Sequence, residues 1–95
     1  MPEHIHIVEP WTVCTVRLMK ERSFSVPVNV RITLSIRPRD RFQVHLRLGT
    51  TEYPLWTHLS AHNRVHIYKD LWIALGLTAG QRIDVRVIRP VRDDK

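Results

Sequence analysis

The chain has 95 residues and a mass of 11.3 kDa, room for one domain, which excludes a two-domain dinucleotide enzyme or a barrel of eight βα units. It carries 15 Lys+Arg against 9 Asp+Glu for a formal net charge of +6, and 43% of its residues are hydrophobic. That apolar content excludes a disordered basic tail, and the charge favours a polyanionic partner, chiefly nucleic acid. Twelve of the fifteen cations are Arg, the others being Lys20, Lys69 and Lys95. The single cysteine, Cys14, excludes an intrachain disulfide and a cysteine-based zinc site. The N-terminal residues show no basic stretch followed by an apolar run, and no stretch approaches 18 uncharged apolar residues. A cytoplasmic protein with no membrane span is expected.

Most of the chain alternates apolar and polar residues, the pattern of half-buried strands. Over residues 12–19, Cys14, Val16 and Leu18 share one face and Thr15 and Arg17 the other. Phe24-Ser25-Val26 is a short strand stopped by Pro27. Over 41–48, Phe42, Val44, Leu46 and Leu48 point one way, and Arg41, Gln43, His45 and Arg47 the other. Residues 53–59 read as a strand weakened at Pro54, and Val65-His66-Ile67 as another short one. In residues 69–75, Leu71 and Leu75 stand four apart on one helical face, and Gly76 follows where a helix end turns left-handed. Residues 82–88 close the pattern, with Ile83, Val85 and Val87 inward and Arg82, Asp84 and Arg86 outward.

Sliding the chain on itself by 41 residues aligns it without gaps. Phe24-Ser25-Val26 falls on Val65-His66-Ile67; Val30, Ile32, Leu34 and Ile36 fall on Leu71, Ile73, Leu75 and Leu77; Phe42, Val44 and Leu46 fall on Ile83, Val85 and Val87. The repeat predicts a first helix near residues 28–35. Local propensity opposes it, because Val28-Asn29-Val30-Arg31-Ile32-Thr33-Leu34 is β-branched and strictly alternating. A short helix is the expectation, with a long hairpin turning at Pro38-Arg39-Asp40 as the alternative.

The stretch from Asn63 to Val85, with its basic residue, short strand, helix start and Leu75-Gly76-Leu77, resembles the AbrB-type swapped-hairpin motif. Tyr68 stands where that family usually has Pro, and Gln81 where it usually has Asp. AbrB chains carry one motif and dimerise, whereas two motifs in one chain look like a fused pseudo-dimer. Such fused forms are the DNA-binding pseudobarrels, the plant B-three-type domains and the recognition domains of some restriction endonucleases. Phe24-Ser25-Val26-Pro27 resembles their strand and Val-Pro element, and residues 72–77 resemble the second helix and its exit. A bacterial family of undetermined function, linked to bacteriocin-protection-type proteins, has the same layout and implies no DNA binding. The resemblance implies a small, mostly β, partly open pseudobarrel of two strand–helix–strand halves over about residues 11–89, with 1–10 and 90–95 as peripheral ends. It also implies a monomer acting as a pseudo-dimer.

The loops at 19–23 and 59–64 are equivalent in the repeat. The first holds Lys20 and Arg22, the second His62, Asn63 and Arg64. In the B-three-type family such loops are arms that grip the major groove. That assigns phosphate contacts to Arg17, Lys20 and Arg22, and base edges to Asn63 and Arg64 beside His62. The competing reading is two solvated hairpin tips, where polar residues are expected anyway. The outward Arg41, His45, Arg47, Arg82 and Arg86 read as ordinary surface alternation interrupted by Asp84. His4 with His6, and His58, His62 and His66, read as surface or loop histidines and not as a metal site. Trp11, Trp56 and Trp72 read as core residues, Trp72 with the best chance of partial exposure. Cys14 reads as a structural thiol, and no close pair of carboxylates suggests acid–base chemistry. The expected function is cofactor-free, non-catalytic binding of double-stranded DNA, alone or beside a partner protein or nuclease subunit. The alternative is a protein-interaction module of the same fold without DNA affinity.

Overall fold

The computed structural model describes residues 11–90. Alternation makes strands where expected: β1 (Trp11–Arg17), β2 (Ser23–Ser25), β3 (Phe42–Leu48), β4 (Thr51–Thr57), β5 (Arg64–His66) and β6 (Arg82–Ile88). Two one-and-a-half-turn helices follow the short strands, α1 (Val28–Thr33) after β2 and α2 (Lys69–Ala74) after β5. The long strands form an antiparallel sheet in the order β1-β6-β3-β4, and β2 pairs with β5 in a separate two-stranded ribbon. The result is mostly β and partly open, because β1 and β4 remain unpaired on their outer edges.

The 41-residue offset is a pseudo-twofold axis. It carries β2 onto β5 and α1 onto α2 residue for residue. It also carries strand pairs onto strand pairs: Trp11 with Ile88 becomes Glu52 with Arg47, and Val44 with Val87 becomes Val85 with Leu46. Ser23 with His66 becomes Arg64 with Ser25. The axis passes through the pairs that map onto themselves, His45 with Arg86 in the sheet and Phe24 with Val65 in the ribbon. Around it Val44, Leu46, Val85 and Val87 are fully buried, with Phe24 and Val65 on the ribbon side of the same core.

The axis explains why residues 28–33 are helical against their own propensity. Pro27, at φ −56°, presets the first turn, and Val30 and Leu34 bury at helical spacing while Ile32 stays exposed. The Arg31 Nε donates to the Val26 carbonyl at 3.2 Å, tying the helix to the preceding strand. Both helices end alike. Ile36 N–H reaches back to the Arg31 carbonyl at 2.9 Å, and Leu77 N–H to that of Trp72 at 3.1 Å. Each closure has a left-handed residue at its pivot, Ser35 at φ 55° and Gly76 at φ 65°.

On the outer face of the sheet Glu52 sits beside the axis. Arg86 donates to it twice, at 3.1 and 2.9 Å, Arg47 Nε lies 3.2 Å away, and His45 Nδ1 lies 3.0 Å away. Hydrogen bonds from Arg86 and then His45 hold its carboxyl at about 2. The Arg86 guanidinium also lies over the Trp11 ring, 4.1 Å from its centre, and Trp11 is the repeat equivalent of Glu52. Asp84 accepts the Thr15 hydroxyl at 2.5 Å on the same face. Glu52 thus binds the outward guanidiniums of Arg47 and Arg86, with His45 as a further hydrogen-bond partner. Pro90, set among the peripheral residues by the sequence, is buried at the end of β6.

Two outcomes follow from this frame. Gly76 has open space around its missing Cβ, so Gly76→Ala meets only the backbone penalty, and thermal melting should report a loss of about 1–2 kcal/mol. Glu52 is held below its ordinary range, so its contribution is complete above about 4.5 and fades as pH falls toward about 2. Melting curves across that window should flatten in Glu52→Gln relative to the parent.

Candidate functional site

The two loops lie at opposite ends of the β2–β5 ribbon. Met19 N–H donates to the Ser23 carbonyl at 2.7 Å, and its equivalent Ser60 N–H donates to the Arg64 carbonyl at 2.9 Å. The turns they close hold left-handed residues, Glu21 (φ 68°) and Arg22 (φ 55°) in the first, Asn63 (φ 59°) in the second. Asn accepts this conformation readily, whereas Glu and Arg pay for it, about 1–2 kcal/mol each. Each loop end then crosses to the other half: the Arg22 carbonyl accepts Ile67 N–H at 2.7 Å, and the Asn63 carbonyl accepts Val26 N–H at 3.2 Å. Arg22 and Asn63 therefore frame the ribbon, four strand positions apart, about 13 Å.

The six residues singled out by sequence do not form one cluster. Arg17 and Lys20 line a shallow depression of about 460 Å³ with Gly80, whose N–H donates to the Leu18 carbonyl at 2.7 Å. Arg17 ends β1 directly opposite Arg82. Arg22 lines a different and larger groove. His62 is exposed at the tip of the second loop, while Asn63 is half-buried. Arg64 is not a loop residue: it opens β5 opposite Ser25, is half-buried, and its Nε is buried with no hydrogen-bond partner among the described residues.

The larger groove, about 680 Å³, runs between the end of β4, β5 and the start of α2. Arg22, Arg41 and Lys69 bring three cations to it, His58 and His66 two imidazoles, and Trp56 and Tyr68 two aromatic rings; among the described residues no carboxylate lines it. Trp56 is 51% exposed and Tyr68 58% exposed. This corrects the core placement of Trp56. β4 turns Leu55 and Thr57 inward, so strand alternation sends Trp56 out, next to Gln43 on the paired strand. The Tyr68 hydroxyl donates to the Trp56 carbonyl at 2.9 Å and ties the two aromatic residues together. Trp11 and Trp72 are half-buried. The signal for the groove was present in the alternation at 53–57 and in Tyr68 standing where the first half has Pro27 at its helix start.

Cys14 is half-buried, and burial followed by the Asp84 charge raises its thiol, which keeps it protonated. Among the described residues no three His, Cys, Asp or Glu side chains converge as a metal site, and His4 and His6 lie outside those residues. No helix among them is long and apolar enough to cross a membrane.

No protein-family model and no curated protein matches the chain. Its fold is similar to the solution structure of PHS018 from Pyrococcus horikoshii, with a TM-score of 0.75 over 87% of this chain and 95% of that one. The two are 16% identical, so the likeness is one of fold alone.

Proposed function

We propose that this domain is a non-catalytic, double-stranded DNA-binding module of the AbrB-like pseudobarrel type, working in the cytoplasm and gripping a DNA groove with its two loops. The observation that carries this reading is the symmetric placement of loops 19–23 and 60–64 at the two ends of the ribbon, which sets Arg22 and Asn63 four strand positions apart along it, about 13 Å by strand rise. That separation suits a major groove about 12 Å wide. Arg22, Lys20 and Arg17 make no ion pair with any described residue, so their charge is free for phosphates. On the outer sheet face Arg47 and Arg86 are held by Glu52, so these two make the weaker claim on a polyanion. Arg64, half-buried in β5, acts by supporting the second loop, and Asn63 with His62 takes the base-edge role.

A second reading, a protein-interaction module without DNA affinity, rests on Ile32 (73% exposed) and Ile73 (63% exposed), equivalent residues on the outer sides of the two helices. Duplex binding separates the two. Anisotropy of a labelled duplex should show affinity that falls steeply with salt, and Arg22→Gly should weaken it and lower the log–log salt slope by about 1. Because Gly suits φ 55°, the same variant should melt no lower than the parent. Absence of binding at about 50 mM salt sinks the DNA reading and leaves the second.

A further inference from the structure

The groove at the end of β4 carries chemistry that the fold does not ask for. The pseudo-twofold supplies an internal control, because every lining residue has an equivalent 41 positions away. Where the barrel needs an apolar inward residue, the halves nearly agree: Ile67 corresponds to Val26, and Thr57 to Val16, all buried. Among the outward residues Arg41 keeps an Arg at its equivalent, Arg82, while the two rings and Lys69 are not matched at theirs. Trp56 corresponds to Thr15, Tyr68 to Pro27 and Lys69 to Val28. A threonine serves the strand and a proline serves the helix start equally well in the first half. Two large rings, each more than half exposed, thus have no structural equivalent on the other side of the axis.

The cations complete a distinct binding surface. Arg22 arrives from the first loop, held beside β5 by its carbonyl bond to Ile67 N–H at 2.7 Å. Arg41, just before β3, and Lys69, the first residue of α2, reach the same groove from two further elements. Aromatic faces beside cations, with no carboxylate among the described lining residues, suit a planar group joined to a phosphate. The Tyr68 hydroxyl bond to the Trp56 backbone carbonyl holds the Tyr68 ring beside β4 before any ligand arrives, which lowers the ordering cost of stacking on it. A volume of about 680 Å³ falls in the range of small-ligand sites.

The geometry points to a site for an unpaired nucleotide, its base stacked on Trp56 and Tyr68 and its phosphate held by Arg22, Arg41 and Lys69. This goes beyond duplex binding by the loops and shares only Arg22 with it. An unpaired nucleotide can come from a single strand or from a free mononucleotide.

The test uses the full chain with four probes: hexathymidylate, hexauridylate, thymidine 5′-monophosphate and a blunt duplex. Tryptophan fluorescence reports stacking, and anisotropy reports affinity. Hexathymidylate should quench the fluorescence, Trp56→Ala should weaken its binding about tenfold or more, and Trp56→Phe should restore most of the loss. Trp56→Ala should leave blunt-duplex affinity unchanged. Tighter binding of either hexamer than of the mononucleotide identifies a strand as the ligand, and equal binding identifies a free nucleotide; both uphold the site. Hexamer affinity that is absent at about 50 mM salt, or equal in parent and Trp56→Ala, overturns it. If the duplex binds in that case, the loop reading survives alone. If the duplex fails while Trp56-dependent hexamer binding persists, the nucleotide site stands and the loop reading falls.

Discussion

The pairing of β3 with β6 across the pseudo-twofold axis is the contact on which the rest of the molecule depends. Each half has two long strands, a three-residue strand and a six-residue helix, too little to cover its own apolar face. Val44 beside Val87 and Leu46 beside Val85 join the halves into one sheet, and their fully buried side chains form the centre of one core. The pairings of β1 with β6 and of β3 with β4 extend that joint on both sides, and the ribbon of β2 and β5 joins the halves again through Phe24 and Val65. The β3–β6 and β2–β5 joints are not local in sequence, so the loops are positioned only once the whole barrel has formed. The crossing of Arg22 to Ile67 and of Asn63 to Val26 is a direct result: each loop is anchored by the other half's strand.

Much of this was legible in the sequence because the repeat is written in apolar spacing, which burial enforces. The offset of 41 located α1 where propensity alone pointed to a strand, and Gly76 marked the helix exit that Ser35 makes without glycine. Less legible was anything that depends on which strands pair. Arg22 could be placed on a loop, but its neighbours Arg41, His58 and Lys69 come from three other stretches of chain. Trp56 was misplaced because size and hydrophobicity suggested the core, while its position in β4, between inward Leu55 and Thr57, decided the outcome. Arg64 was read as a loop residue because strand boundaries are the least certain part of a sequence reading, and it begins β5.

Symmetry and function divide along the same line. The inward residues of the halves are mostly apolar at equivalent positions, as in Leu46 with Val87 and Phe42 with Ile83. Outward residues diverge at several positions. On the sheet, Glu52 and its equivalent Trp11 flank Arg86 on two sides and compensate it by charge and by ring. At the groove, Trp56, Tyr68 and Lys69 replace Thr15, Pro27 and Val28. A barrel selected only to be stable would have no use for the second set.

The central claim is that nucleic acid meets the loops and the groove beside them, and not the sheet. Backbone amide shifts of the labelled protein, followed by NMR as a duplex and then hexathymidylate are added, test it most directly. The account predicts that the duplex moves amides of residues 19–23 and 60–64, that the hexamer moves those of 56–58 and 66–69, and that Val13, His45 and Arg86 hold still under both. Shifts centred on the outer sheet face, or none under either ligand, would contradict it.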